Sequence, residues 1–193
     1  MRGNAPPGGA RTNESTSLAA AAALPRTARL FLALWPGPAA RAALAAWRDA
    51  WAWPPGARPV PTERLHLTLH FIGPVPRERV APVADALDVP ATSFELAFGR
   101  AERWRHGLAV LRPLGSPPQL EALHAALAER LRACDLPVET RPFRAHVTMA
   151  REAPGVVPPV AGPALRWRVR GHALVESRPG RDGGYVVLRR YTA

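Results

Sequence analysis

The sequence predicts an α+β fold, with helices interspersed among mostly antiparallel strands. Three observations predict it. Two segments, Arg64 to Ile72 and Pro142 to Arg151, alternate polar and apolar residues as two-faced strands do. Leu120, Leu123, Leu127, Leu131 and Cys134 recur at helical spacing across Pro117 to Cys134. The other apolar runs are short and are set off by Gly- and Pro-containing turns, which gives the order β-α-β-α-β-β-α-β-β-β.

Residues 1 to 26 are rich in Gly, Pro, Ala and Ser and are expected to form a disordered tail. The apolar run Leu18 to Leu24 is read as part of that tail, not as a secretion signal. It is mostly alanine, Glu14 lies upstream, and cleavage near Pro25 would leave almost no spacer before the first strand. Residues 27–193 then form a single domain. Arg29 to Trp35 is a buried strand, turned by Pro36-Gly37-Pro38 into a helix from Ala39 to Trp51 that carries Leu44, Trp47 and Trp51 on its core side. Trp53-Pro54-Pro55-Gly56 stops that helix. The first alternating strand runs from Arg64 to Ile72 and ends at Gly73-Pro74. A helix follows from Pro76 to Leu87, with Val80, Val83, Ala84 and Leu87 on one side. Thr92 to Arg100 and Leu108 to Arg112 are strands. Ser116 is a candidate cap and Pro117 suits the first turn of the next helix. After the second alternating strand, Ala153 to Ala164 is a proline-rich loop. Leu165 to Glu176 and Tyr185 to Tyr191 are the last strands, joined by the Gly-rich turn Ser177–Gly184.

The 193 residues, 47% hydrophobic, suffice for one compact domain or for two small lobes packed together. The single cysteine excludes an intramolecular disulfide, and its place on the leucine stripe predicts a buried, inert thiol. The net charge is +11, and all 26 basic residues are arginine. A complete absence of lysine beside so much Ala and Pro looks like compositional bias, so the basicity is weak evidence for nucleic acid. Arginine is nevertheless the better bidentate phosphate ligand, and a positive surface speeds encounter with a polyanion. No segment is long enough to span a membrane, and the expected location is the cytoplasm.

The most informative feature is a repeat. Arg64-Leu65-His66-Leu67-Thr68 returns 80 residues later as Arg144-Ala145-His146-Val147-Thr148. With six histidines and nine threonines, composition alone predicts about 0.3 matches to H-x-T, so two in matching context point to function. Alternation puts Arg64, His66, Thr68 and His70 on one face and Leu65, Leu67, Leu69 and Phe71 on the other. In the second strand Phe143, Ala145, Val147 and Met149 take the apolar face. Two related lobes that each lend one such strand to a shared cleft would bring two histidines, two hydroxyls and guanidinium groups together. That set suits acid–base chemistry at phosphate. Such acid–base chemistry needs one protonated and one neutral histidine, and a coupled pair of this kind gives a bell-shaped pH profile. Arg144, sharing a face with His146, is placed to offset charge developing on phosphorus.

Competing readings are weaker. His66 and His70 are four apart, but on a strand that spacing does not make a close metal-binding pair. No H-E-x-x-H, cysteine pair or carboxylate cluster completes a ligand set, so no metal is expected. His124 lies beside the leucine stripe and reads as structural, and His106 and His172 are expected at or near the surface. Trp47 and Trp51 read as helix core. Arg166, Arg168 and Arg170 alternate on one strand and read equally well as an RNA-backbone track or a solvated face.

RLHLTLHFIG at 64–73 and FRAHVTMAR at 143–151, with the RLFLAL strand before them, resemble the 2H phosphoesterase superfamily. The closest resemblance is to its RNA 2′,3′-cyclic phosphodiesterase, or 2′-5′ RNA ligase-like, branch. It implies a bilobal fold of two antiparallel-sheet lobes, with outer helices, around a central cleft. It also implies catalysis without metal or cofactor on RNA bearing a 2′,3′-cyclic phosphate end. By that resemblance His66 is the proton donor to the leaving group and His146 the proton acceptor from water. Thr68 and Thr148 hold phosphate oxygens, Phe31 stacks on a base although its place in an apolar strand favours a core phenylalanine, and Arg151 adds positive charge although its alternation parity places it on the other face or beyond the strand end. Two departures bear on the cleft rim and substrate preference: His70, read as a rim or substrate residue, stands where lysine is usual, and Arg64 stands where a small amide is common. The resemblance is to a monomeric enzyme, with no membrane or protein partner implied. The alternatives are a basic RNA-binding protein with a non-catalytic site, or the same chemistry on a small cyclic nucleotide or a 2′-5′ oligonucleotide.

Overall fold

The computed structural model describes Met1, residues 25–178 and residues 184–193. The expected tail, apart from its two ends, and most of the Ser177–Gly184 turn lie outside the described residues.

The elements are β1 (Thr27–Leu34), α1 (Pro38–Asp49), β2 (Arg58–Pro59), β3 (Leu67–Pro76), α2 (Val80–Ala86), β4 (Phe94–Trp104), β5 (Leu108–Pro113), α3 (Pro118–Ala133), β6 (Val147–Arg151), β7 (Leu165–Val169), β8 (Gly171–Ser177) and β9 (Tyr185–Thr192). They form one antiparallel sheet in the order β7-β4-β5-β6-β3-β1-β8-β9, with β2 paired to β6. The two motif strands meet at the middle through a single pair, Leu67 with Val147. The sheet therefore divides into two four-stranded halves, each with its motif strand at the seam. Each half repeats one arrangement. β1 and β3 pair antiparallel and are joined through α1; β5 and β6 pair antiparallel and are joined through α3. This is the structural form of the sequence repeat.

Most of the core lies between the sheet and the helices. β1 sends Ala28, Leu30, Leu32 and Leu34 into it and buries Phe31 and Ala33 on the opposite face, which explains its unbroken apolar run. α3 buries Leu120, Leu123, Leu127 and Leu131, each contributing about 1.5–3 kcal/mol. It packs over β3 of the other half, while α1 packs over β7. The helices thus cross-brace the two halves. Trp47 on α1 is 2% exposed and donates its indole N–H to the Pro163 carbonyl at 2.7 Å, so the Trp47 and Trp51 expectation holds. Among the described residues, no helix is long and apolar enough to cross a membrane.

Several expectations need correction. The predicted strand Leu165–Glu176 is two strands, β7 at the edge of one half and β8 inside the other. The chain breaks at Gly171, whose φ of +139° and contact with Tyr191 hide beneath continuous alternation. Both motif strands begin late, at Leu67 and Val147, and Thr62–Arg64 form a short 3-10 turn. β3 continues through Gly73-Pro74 to Pro76. Beyond Leu67 it has a described partner only in β1, and such an edge-like strand tolerates proline. α2 starts at Val80, after a 3-10 turn at Arg77–Arg79. Ser116 donates its hydroxyl to Glu121 and does not cap α3. Cys134 is half-buried at the C-terminal cap of α3, beyond the buried stripe. His172 is 3% exposed, stacked on Tyr191 at 4.3 Å with its Nε2 bonded to the Leu87 carbonyl, because β8 turns that face toward α2.

Candidate active site

The site grows from the seam. In the antiparallel register set by Leu67 and Val147, His66 faces Thr148 and Thr68 faces His146. His66 and Thr68 of one motif and Thr148 of the other line a common pocket. The residues just before each strand are free of the sheet ladder, which leaves their carbonyls available. His66 Nδ1 donates to the Arg64 carbonyl at 2.6 Å, and His146 Nδ1 donates to the Arg144 carbonyl at 2.7 Å. Nδ1 is the donor because a carbonyl can only accept. The same bond fixes the same tautomer in both rings and leaves both Nε2 atoms as acceptors. His66 Nε2 takes a hydrogen bond from the Thr68 hydroxyl at 3.1 Å.

A second device is also repeated. The register slips by one residue after Thr68, where Leu32 pairs with His70 and Ala33 with Thr68. It slips again after Thr148, where Ala109 pairs with Ala150 and Val110 with Thr148. Each motif strand thus carries a β-bulge immediately past its threonine, at Leu69 and at Met149. A bulge reverses the alternation beyond it. His70 therefore turns away from the cleft: it is 2% exposed, stacks on His124 at 4.0 Å and bonds the His124 carbonyl at 2.9 Å. This corrects its reading as a rim or substrate residue. The apolar-face assignment of Phe71 reverses as well, since it is 49% exposed beneath the Arg29 guanidinium. The second bulge swings Arg151 into the cleft, against its alternation parity.

A pocket of about 200 Å³ results, lined by His66, Thr68, Thr148 and Arg151 together with Arg58, Arg64 and Tyr185. Arg144 points elsewhere. It lies 4.3 Å over the Trp104 ring and reaches Glu102 at 3.5 Å, so its charge sits beside His146. Glu102 also accepts from the Trp104 indole at 2.7 Å and from Arg112 at 3.0 Å, which holds Trp104 against the His146 ring at 4.6 Å. His66 is boxed by Phe31 at 5.0 Å, Tyr185 at 5.2 Å and Trp35 at 5.5 Å. Phe31 is only 4% exposed, so it packs beneath the histidine and offers little open face to a base. Sequence reasoning missed Trp35, Arg58, Trp104 and Tyr185. Each is a lone residue outside the motifs, and only pairing across the sheet brings it to the site.

The family model for the 2′-5′ RNA ligase superfamily matches residues 36–180, three quarters of the chain. The chain belongs to the 2′-5′ RNA ligase superfamily. It is 34% identical over 153 residues to the RNA 2′,3′-cyclic phosphodiesterase of Thermus thermophilus, covering 71% of this chain and 76% of that one. To the RNA 2′,3′-cyclic phosphodiesterase of Escherichia coli it is 30% identical over 143 residues, covering 72% and 80%. The crystal structure of E. coli LigT complexed with 3′-AMP superposes with a TM-score of 0.78 at 28% identity, over 86% of this chain and 98% of that one.

In this superfamily member, burial and nearby positive charge hold both histidines below their ordinary value. Burial pushes His66 down to about 4, reinforced by the charges of His146 and Arg151 and opposed by the bond to the Arg64 carbonyl. Burial also lowers His146, helped by Arg112, Arg144 and Arg151 and opposed by the Arg144 carbonyl. A bound phosphate acts in the other direction and raises both. A consequence for pH dependence follows. Where the two rings act as an acid–base pair, as the resemblance implies, kcat/KM reports the free enzyme, in which the singly protonated pair is most populated on the acid side of 6.5, the ordinary histidine value. kcat reports the complex, so its optimum lies at higher pH. Profiles of both constants on a 2′,3′-cyclic nucleotide from about pH 4 to about pH 9 check this, and coincident optima contradict it.

Proposed function

We propose that this chain is an RNA 2′,3′-cyclic phosphodiesterase in which His146 acts as the base and His66 as the acid. The observation that carries this reading is the matched anchoring of the two rings. Both Nδ1–H groups are tied to backbone carbonyls two residues upstream, which leaves both Nε2 atoms for proton transfer. The relatives named above supply the substrate class.

The reaction starts when the phosphate enters and draws a proton onto His66 Nε2, releasing the Thr68 hydroxyl to a non-bridging oxygen. Thr148 serves a second oxygen, and Arg151, Arg58 and Arg64 surround the anion with positive charge. Water attacks phosphorus and gives a proton to His146 Nε2. The bond from phosphorus to the ribose 3′ oxygen breaks, and that oxygen takes the proton from His66. The products are a 2′-phosphate and a free 3′ hydroxyl, and proton exchange with water resets the pair. Among the described residues, no three His, Cys, Asp or Glu side chains converge as a metal-ligand set would. Both motif strands come from one chain, which supports a monomeric enzyme, and the reading places it in the cytoplasm among RNA ends.

The test is product analysis on RNA ending in a 2′,3′-cyclic phosphate, with and without EDTA. The expected result is a 2′-phosphate end and an unchanged rate in EDTA. A 3′-phosphate product, or loss of activity in EDTA, contradicts the reading.

A further inference from the structure

A groove of about 260 Å³ is lined by Trp35, Trp167, Arg168, Arg170 and Arg190, and the Trp35 ring that lines it also stacks on His66. Two crossings of the sheet assemble it. β7 alternates buried Leu165, Trp167 and Val169 with exposed Arg166 and Arg168, and the chain then passes Arg170 into β8. β9 carries a register slip between its pairings to Leu174 and Val175, which sets Arg190 opposite Ala173. Ala173 belongs to the small cluster on the cleft face of the sheet with Phe31 and Ala33, so Arg190 stands on that face. Trp35 follows on the same side, two residues beyond Ala33, with its ring stacked on His66.

These arginines are free to take a ligand. Arg166 is engaged with Glu95 at 2.6 Å. Arg168, Arg170 and Arg190 are all exposed, and among the described residues none of them is paired with a carboxylate. Three exposed arginines from β7, the link to β8 and β9 line this groove, Arg168 opposite Glu95 in the ladder, and together they favour a ligand with repeated negative charge. The half-buried Trp35 indole lines the groove beside them, with the Arg41 guanidinium over its ring at 5.7 Å. A mononucleotide held at His66 would leave all of this unused.

We propose that the groove binds the RNA strand upstream of the cyclic end, with backbone phosphates on Arg168, Arg170 and Arg190. The groove therefore favours an RNA chain, while a cyclic mononucleotide is opened without using it. The inference rests on the phosphodiesterase reading for the position of the 3′ end. It takes the RNA-backbone reading of the arginine track for Arg168 and Arg170, while Arg166 pairs with Glu95.

The test uses Arg168→Gln/Arg190→Gln with two ligands that are not turned over, a labelled six-nucleotide RNA ending in a 2′-phosphate and a nucleoside 2′-phosphate. Binding of the RNA is expected to weaken about tenfold, with a log–log salt slope smaller by about 1.4, because each lost phosphate contact removes about 0.7 for single strands. Binding of the nucleoside 2′-phosphate and turnover of a 2′,3′-cyclic mononucleotide stay within twofold. Arg168→Lys/Arg190→Lys keeps the wild-type slope. Unchanged RNA affinity and slope in the Gln variant overturn the proposal, as does an equal loss for the nucleoside. Failure of the wild type to open any cyclic phosphate overturns the proposed activity instead, and the binding comparison still reads the groove.

Discussion

Alanine at His66 or at His146 lowers the rate of cyclic-phosphate opening by about 10²- to 10⁴-fold, the range supplied by a positioned general acid or base. Neither ring is replaceable by a neighbour. His70 faces α3, and His124 packs between it and Phe143. The two losses do not add. Transfer of a proton to one ring and from the other belongs to a single event, so the double variant falls little further than either single one. Both variants keep a cooperative thermal transition, because the seam is held by Leu67 and Val147 in the core and not by the rings. Rate measurements on a cyclic-ended RNA, with thermal melts of the same preparations, check both halves of this expectation.

Alanine at Gly171 is the most destabilising single change expected. Gly171 is the switch at which the chain leaves β7 in one half of the sheet and enters β8 in the other. Its φ of +139° is strained for any residue with a side chain, and a Cβ there would lie 1.8 Å from the Tyr191 carbonyl oxygen. That atom is backbone in the pairing of β8 with β9, so it cannot move aside without opening the ladder. Backbone strain of about 1–3 kcal/mol and overpacking of about 1–3 kcal/mol together remove roughly 2–6 kcal/mol. Against a usual total of about 5–15 kcal/mol, that is a large share. Urea denaturation of Gly171→Ala should show a clearly lower midpoint, and an unchanged midpoint would mean that β9 is not fixed over the switch.

Much of this site was legible because its chemistry lies in a repeated pattern. His66, Thr68, His146 and Thr148 converge at the seam in the way the alternation requires. Alternation failed where the backbone inserts a residue. Met149-Ala150 is an apolar doublet that breaks the period and could have signalled the second bulge. At the first bulge, Leu69-His70 keeps an apolar-polar appearance and conceals it. The two arginines of the repeat carried a different message from the expected one. Their carbonyls anchor the histidines, while the Arg144 guanidinium turns to Trp104 and Glu102. The aromatic box could not be read from sequence, since Tyr185 on β9 lies far along the chain from Phe31 and Trp35 at β1 and reaches them only through the pairing of β1, β8 and β9.

The division of labour between two similarly anchored histidines is tested most directly with a substrate whose ribose 3′ oxygen is replaced by sulfur in the 2′,3′-cyclic phosphate. A thiolate leaves without a proton, so the acid becomes dispensable while the base does not. The expected result is that His66→Ala opens the sulfur substrate at close to the wild-type rate and His146→Ala remains inactive on it. Rescue of His146→Ala in place of His66→Ala, or of neither, would contradict the assignment of acid and base.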